Sequence, residues 1–441
     1  MEHTIEIDIK KFRAIKSANI VINGITVITG ENGCGKSSIS KLFYHIIKTS
    51  INFDVIVDEK IDNELYSIFR LLDTLSRELS YLIKKEDYLK IRRIFREGLY
   101  NNKQLNLFGE NPIITSIDLL IDYYKNIPDL KSSKIDFRIK RVKRILEEEI
   151  NLKTENTKDL SIPNLLKKLK SFVANRLDKS NTLKEERPLN VLYNVLNEVF
   201  YDNPISKSYN LKEYDVPILD KEKNKLSPIH SIQNIAYIDT PVIVGIDTFA
   251  ERTHWEDLNN ILNNKIKNKK TSINKILENN ILRGKVSNSE DELSDKSFVY
   301  IREDGSEFDL LECATGLKSF AIIQILYKNG FLNDKTVLII DEPEAHLHPQ
   351  WVVEYARLIV LLNKEIGVKF LIASHHPDMI SAIKYISMKE KTEKNLNFYL
   401  AEKDLKSSFM YNFKHKGLDI EDIFSSFNIA FERMDLYGKT E

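Results

Sequence analysis

The most distinctive chemical pattern in the chain is the segment Gly30–Ser37, with the sequence GENGCGKS. It matches the spacing G-x-x-x-x-G-K-[ST] of a phosphate-binding loop. Glycines let the backbone turn tightly so that N–H groups point at phosphate oxygens, while Lys36 reaches the terminal phosphates and Ser37 binds Mg²⁺. We therefore predict that a nucleoside triphosphate is bound by Gly30, Asn32, Gly33, Gly35, Lys36, Ser37 and Ser38.

A second pattern, far along the chain, places two carboxylates at the end of an apolar run. Val337–Ile340 is followed directly by Asp341 and Glu342. Such a run is typical of a buried strand, whose carboxyl end would deliver both acids to one place. In phosphoryl transfer the first acid holds Mg²⁺, and the second orients or deprotonates the attacking water. The sequence thus predicts Asp341 as a metal ligand, and Glu342 and Lys36 as catalytic residues.

Strand patterns flank both motifs and predict an α/β fold. Before the glycine segment, alternating isoleucines over 5–9 and 20–27 predict strands, with a hairpin turn at Asn23-Gly24. The apolar runs Val337–Ile340 and Phe370–Ala373 are separated by a stretch of helical spacing. They predict two neighbouring parallel strands joined by a helix.

Between these ends, residues 50–205 show mostly helical spacing without sustained heptads or a fixed repeat. We predict an ATPase-like core split into 1–49 and 206–400, a helical insertion over 50–205, and a helical tail over 401–441. Within the core, alternating apolar residues around Asp304-Gly305 predict a further hairpin.

Composition excludes several classes of protein. The 441 residues carry 65 Lys+Arg and 65 Asp+Glu, a balance that argues against a protein that coats nucleic acid through global charge. No apolar run approaches the roughly 18 residues of a membrane span. The two cysteines are too few for a disulfide framework or a Cys-based metal site. We expect a cytoplasmic protein that does not associate with membranes.

Together the two motifs resemble the ABC-type ATPase head of SMC, RecF and OLD-family proteins. Further segments match that group in order along the chain: KFRAI at Lys11–Ile15 for the turn near adenine and ribose, ATGLK at Ala314–Lys318 for the signature, EAHLHP at Glu344–Pro349 for the D-loop, and SHHP at Ser374–Pro377 for the switch histidine. The matches cover roughly half of the chain. They imply an ABC-type P-loop ATPase head, with a mixed β-sheet, flanking helices and a mostly helical insertion.

The resemblance implies a head-to-head homodimer, or a higher oligomer, that sandwiches ATP and Mg²⁺ between subunits. Arg13 would lie near the base and ribose, and His375 would be the catalytic switch histidine. Thr315 and Gly316 would contact the γ-phosphate bound by the neighbouring subunit. Lys318 departs from the usual signature; it would either add positive charge at that phosphate or be a solvated helix lysine.

The residue that senses Mg²⁺ in this group has two candidates before Pro241. Asp239 follows the strand pattern Ile235–Ile238 and is our prediction, while Gln233 precedes that strand and is the rival. A turn residue before proline is the alternative interpretation of Asp239.

The purpose of hydrolysis is open at this stage. After His375, 66 residues remain, too few for the Toprim nuclease domain of OLD proteins. The leading interpretation is a regulatory ATPase that senses a trigger and controls a separate effector protein, such as a Toprim-type nuclease. This resembles stand-alone ATPases of bacterial anti-phage systems, such as the AriA type of PARIS. The alternative is a DNA-binding repair ATPase of RecF or SMC type; basic runs near residues 84–96 and 138–144 are solvated faces or contacts to nucleic acid.

Overall fold

The computed structural model describes residues 5–79, 89, 92–93, 112–125, 133–151, 161–201, 209–239, 254–264, 272–288, 298–424 and 437. The chain divides into two compact units, one formed by residues 1–51 and 188–441 and the other by residues 52–187. Among the described residues, no helix is both long enough and apolar enough to cross a membrane.

The strands of the described residues all belong to the first unit. They are β1 (Ile5–Phe12), β2 (Ile15–Ile22), β3 (Ile25–Thr29), β4 (Tyr209–Glu213), β5 (Val216–Pro217), β6 (Leu219–Asp220), β7 (Lys225–Leu226), β8 (Asn234–Ile238), β9 (Gly284–Asn288), β10 (Phe298–Arg302), β11 (Glu307–Asp309), β12 (Thr336–Asp341), β13 (Lys369–Ala373), β14 (Leu396–Asp404) and β15 (Ser407–Gly417).

The helices are distributed over both units. They are α1 (Lys36–Ile51), α2 (Phe53–Leu79), α3 (Pro112–Lys125), α4 (Ser133–Asn151), α5 (Ile162–Glu186), α6 (Leu189–Phe200), α7 (His254–Leu262), α8 (Ser272–Lys275), α9 (Thr315–Lys328), α10 (Pro349–Ile366) and α11 (Pro377–Lys389). A π-helix covers Ile276–Leu282, and 3₁₀ turns cover Leu310–Glu312 and Glu393–Asn395.

One mixed sheet of ten strands organises the first unit, in the order β5-β4-β1-β2-β15-β14-β3-β13-β12-β8. The strands β14, β3, β13, β12 and β8 run parallel to one another. The other pairs are antiparallel, except that β15 and β2 are parallel. The predicted α/β fold with a mixed sheet and flanking helices is confirmed.

The central parallel strands form because their residues are mostly apolar and are covered on both faces. Every residue of β3, β12 and β13 is buried. Asp341 pairs with Ala373, and Ala373 pairs with Ile28. The carboxyl ends of the three strands therefore meet at one edge of the sheet, where the residues that follow them converge.

The predicted hairpin at Asn23-Gly24 is wrong. The strands β2 and β3 that it joins are separated in the sheet by β15 and β14. Gly24 is instead a point of close approach, because a Cβ atom there would lie 2.4 Å from the carbonyl oxygen of Asn395. Its own carbonyl accepts a 2.7 Å hydrogen bond from the Phe370 N–H. The predicted hairpin around Asp304-Gly305 is confirmed, with β10 antiparallel to β11.

The predicted helical tail from residue 401 is wrong over its first part. Residues 396–417 form the antiparallel pair β14 and β15, which lies inside the large sheet. Buried aromatic residues such as Phe398, Tyr411 and Phe413 anchor the pair. The rest of the tail lies mostly outside the described residues.

The second unit is a helical cluster built from α2, α3, α4 and α5. Its core is mostly aliphatic and includes Leu72, Leu120, Leu146 and Leu166, all fully buried. The predicted insertion extends to residue 205, but α6 lies in the first unit, where Phe200 packs edge-on against Phe12 at 5.3 Å. Most of the basic run near residues 84–96 lies outside the described residues.

Candidate functional site

The segment Gly30–Ser37 connects β3 to α1 and has the backbone of a glycine loop. The φ angles of Gly30, Gly33 and Gly35 are 150°, 81° and 105°, conformations that favour glycine. Space is also restricted, since a Cβ atom on Gly30 would lie 2.6 Å from Cβ of Ala401. Asn32, Gly33 and Ser37 are exposed, and Ser38 is half-buried. The loop therefore presents its backbone at the sheet edge.

Lys36 places its positive charge within this loop. Its Nζ donates to the carbonyl oxygens of Gly30 at 2.8 Å and Glu31 at 3.1 Å, and the residue is 6% exposed. A glycine loop, a helix N-terminus and a buried ammonium group together fit a polyphosphate. Cys34, in the same loop, is fully buried.

Asp341 ends β12 and is surrounded by hydroxyl groups. Ser40 Oγ donates to its Oδ1 at 2.8 Å, and the Tyr237 hydroxyl donates to its Oδ2 at 2.7 Å. Burial raises the pKa of Asp341, while hydrogen bonds from Tyr237, Ser40 and Ser37 act in the opposite direction by stabilising the carboxylate. Ser37 and Asp341, the two predicted metal ligands, therefore influence each other electrostatically.

Mg²⁺ is commonly held by one or two protein oxygens together with substrate phosphates. The hydroxyl of Ser37, in the first turn of α1, and the carboxylate of Asp341, which Ser40 of the same helix contacts, form a donor set of that kind. Among the residues that the structure describes, no group of three or more His, Cys, Asp or Glu side chains could hold a metal ion. The fit to Mg²⁺ therefore depends on this pair and a phosphate ligand.

Asp239, the third predicted metal ligand, already has partners for both carboxylate oxygens. His254 Nε2 lies 2.8 Å from Oδ2, and Trp255 Nε1 donates to Oδ1 at 2.6 Å. Burial would raise the pKa of Asp239, but the hydrogen bonds from His254 and Trp255 outweigh it and lower the pKa. In β8, Ile238 pairs with Ile340, so Asp239 lies at the same edge as Asp341. The rival Gln233 lies at the opposite end of that strand.

Glu342 follows Asp341 in a tight turn. It has a φ of 49°, its N–H donates to the carbonyl oxygen of Ala373 at 2.8 Å, and its own carbonyl accepts from Ala345 at 2.9 Å. The side chain is 48% exposed, and its Oε1 lies 3.5 Å from Nδ1 of His375. The turn thus brings an accessible carboxylate to the predicted switch histidine.

His375 and His376 have different roles in the turn after β13. His376 is the N-cap of α11, and its Nδ1 accepts a hydrogen bond from the Asp378 N–H at 3.3 Å. His375 instead contacts the acidic residues that follow β12. The structure therefore places His375, the predicted switch histidine, 3.5 Å from Glu342.

The signature-like segment begins α9. Thr315 is half-buried, and a Cβ atom on Gly316 would lie 3.1 Å from Cδ2 of Leu347. Gly316 therefore allows α9 to contact the D-loop-like segment of the same chain. Lys318 is 7% exposed and donates to the Leu311 carbonyl at 2.6 Å. Its predicted role at a neighbour's phosphate requires the side chain to leave that carbonyl.

Arg13 lies in the turn between β1 and β2, with a φ of 52°, and is exposed. Its guanidinium group lies over the ring of Phe200 at 4.8 Å. The same turn touches the glycine loop, since a Cβ atom on Gly35 would lie 2.8 Å from Cγ1 of Ile15. The turn is therefore next to the loop, and the base or ribose contact of Arg13 stays a prediction.

Sequence reasoning missed the residues that hold the predicted ones in place. Ser40 and Tyr237 contact Asp341, and His254 and Trp255 contact Asp239. Ser40 follows the loop by one helical turn from Lys36, which is a usable signal. Tyr237 reads as an ordinary core residue of a buried strand.

The contact of Tyr237 with Asp341 leads to a testable prediction. We expect Tyr237→Phe to lower the rate of nucleotide hydrolysis by about 10–100-fold, because a hydrogen bond to a charged group contributes about 1.5–3 kcal/mol. Tyr44→Phe is the matched control, since Tyr44 is also buried but donates to Asp257. Steady-state kinetics of both variants would test the prediction, and equal rates would contradict it.

Comparisons with known proteins place most of the chain in one family. A family model described as "AAA ATPase domain" matches residues 5–380. No match was found among curated proteins. Similar solved structures include an Smc head domain from Pyrococcus furiosus bound to the C-terminal domain of ScpA (12% identity, 97% of this chain and 98% of that chain, TM-score 0.33). Another is the SMC head domain from Thermotoga maritima (9% identity, 94% and 98%, TM-score 0.35).

Proposed function

The chain belongs to the AAA ATPase domain family, and we propose on that basis that it binds ATP with Mg²⁺ at Gly30–Ser37 and hydrolyses the terminal phosphoanhydride bond. The observation that carries this proposal is the convergence at one sheet edge of a buried ammonium group, a hydroxyl-bound carboxylate and an accessible carboxylate. These belong to Lys36, Asp341 and Glu342.

Each residue has a defined task in this proposal. Lys36 and the loop N–H groups bind phosphate oxygens, and Ser37 and Asp341 would hold Mg²⁺, which neutralises charge on the phosphates when bound. Glu342 accepts a proton from water as the water oxygen attacks the γ-phosphorus. The bond to the β–γ bridging oxygen breaks, and ADP and inorganic phosphate are released.

We further propose that ATP joins two copies of the chain, with Thr315 and Gly316 of the second copy at the γ-phosphate. Support comes from their position at the start of α9, where free N–H groups and the helix dipole favour an anion. We expect Glu342→Gln to roughly double its native mass from the 51.4 kDa of one chain when Mg·ATP is added. Light scattering measures this, and a mass unaffected by nucleotide would contradict the sandwich.

The biological role we propose is control of a separate effector protein. In this role hydrolysis is coupled to the state of the partner, as in anti-phage ATPases. Its support is the resemblance in domain order alone.

A DNA-binding role is the second candidate, favoured by one exposed face of α4 that carries Phe137, Lys140, Arg141 and Arg144. Duplex DNA that stimulates hydrolysis in a strongly salt-dependent way would favour the second role. Co-purification with a stoichiometric protein partner, without a DNA effect, would favour the first.

A further inference from the structure

Beside the predicted catalytic pair lies a third acidic residue to which the proposed function gives no task. We infer that Glu344 is a positioning residue for hydrolysis, which holds the His375 imidazole and keeps Glu342 free to act as the base. This inference rests on the proposed ATPase function and concerns the same site.

Glu344 is buried between the turns that follow β12 and β13. Its side chain is 4% exposed. Its Oε1 accepts hydrogen bonds from Ser374 Oγ at 2.9 Å and from the His375 N–H at 3.2 Å. The carboxylate therefore fixes the backbone of the turn that carries His375. Glu344 and its donor Ser374 are 30 residues apart in the sequence.

Two polar atoms in this cluster lack partners in the described structure. Oε2 of Glu344 and Nδ1 of His375 are both buried and make no hydrogen bond. Leaving buried polar atoms unpaired is unfavourable, because the folded protein does not replace the hydrogen bonds that they make to water. The two atoms are complementary, because a carboxylate oxygen accepts a hydrogen bond and an imidazole nitrogen can donate one.

The imidazole lies between two carboxylates at nearly equal distances. Nδ1 of His375 is 3.5 Å from Oε1 of Glu342 and 3.6 Å from Oε1 of Glu344. A small rotation of the ring is enough to complete a hydrogen bond to either one. The His375 side chain is 43% exposed although Nδ1 is buried, so its exposed part lies away from the carboxylates.

The choice between the two carboxylates matters for hydrolysis. A bond from Nδ1–H to Glu342 would occupy an oxygen that must accept the proton of the attacking water. A bond to Glu344 leaves that oxygen free and fixes the tautomer in which Nε2 is the nitrogen available to substrate. The Glu344 side chain is 4% exposed and the Glu342 side chain is 48% exposed. Because a hydrogen bond is stronger where water is excluded, the Nδ1–H of His375 is more stably bonded to Glu344 than to Glu342.

A double-mutant cycle tests this assignment. We expect Glu344→Ala to lower kcat by about 10–100-fold, the range typical of removing a partner behind a functional histidine, with KM for ATP unchanged. In the His375→Ala background the same change should have no further effect, because Glu344 acts through His375. Glu344→Gln keeps an acceptor oxygen without the charge and should give an intermediate kcat. This variant also tests the assignment if the alanine variant does not fold.

Glu354→Gln is the matched control, since Glu354 is a partly exposed residue of α10 paired with Arg357. It should hydrolyse ATP at the wild-type rate. Effects of Glu344 and His375 that multiply, or a wild-type kcat in Glu344→Gln, would overturn the inference while leaving the proposed ATPase intact. A wild-type protein that releases no phosphate from ATP would overturn both.

Discussion

Glu342→Gln is expected to lower ATP hydrolysis by about 10²–10⁴-fold, the contribution of a positioned general base, and to leave ATP affinity near the wild-type value. The amide has the same shape as the carboxylate and cannot take the proton of water. Backbone contacts to Ala373 and Ala345 hold the turn independently of the side chain. Single-turnover phosphate release and equilibrium binding of a fluorescent ATP analogue measure the two effects separately.

The outcome that would contradict this prediction is hydrolysis by Glu342→Gln at the wild-type rate. Another residue would then take the proton, and His375 would be the first to examine because it lies 3.5 Å away. Equal loss of binding and hydrolysis would show instead that the turn after β12 had changed.

Lys36→Ala is expected to weaken ATP binding by about 10–100-fold, since a charge-assisted hydrogen bond contributes roughly 1.5–3 kcal/mol. The change removes the ammonium group and leaves the carbonyls of Gly30 and Glu31 without their donor. Equilibrium binding with Mg²⁺ present measures the effect.

Lys48→Ala is the control for loss of a lysine from α1. Lys48 is 12 residues further along the helix, roughly 18 Å from Lys36, and pairs with Asp257 at 3.0 Å. Its affinity for ATP should remain within a few-fold of wild type. Similar losses in the two variants would mean that the loop does not bind the phosphates.

The sequence was sufficient to predict the parts of the fold that depend on local pattern. The glycine spacing of Gly30–Ser37 and the fully apolar runs of β12 and β13 each predict one local structure. Because parallel strands end at the same edge, the predicted loop, Asp341 and His375 could be expected to meet. The mixed α/β sheet is confirmed for these reasons.

Sheet order could not be predicted in the same way, because it depends on pairing between distant segments. The pair β14 and β15 enters the sheet between β2 and β3 from more than 370 residues later in the chain. A turn signal such as Asn23-Gly24 gives the direction change but not the neighbours of the strands that it joins. The helical interpretation of the tail failed for the same reason, since β15 enters the sheet by pairing with β2, where Tyr411 lies opposite Ile15 from the start of the chain.

The supporting residues of the site were missed because their partners are far away in sequence. Ser40 and Tyr237 are 301 and 104 residues from Asp341. Glu344 was visible as part of a motif, but its contacts with Ser374 and His375 depend on the register of β12 and β13. Such contacts become visible only when the strands are aligned.

The measurement that bears most directly on the proposed site is phosphate release from ATP by the purified wild-type chain, with Mg²⁺ and with excess EDTA, beside Lys36→Ala. We expect the wild type to release phosphate with Mg²⁺. With excess EDTA its rate should fall to the low rate of the Lys36→Ala variant. Equal release by the two proteins with Mg²⁺ present would contradict an ATPase site at Gly30–Ser37.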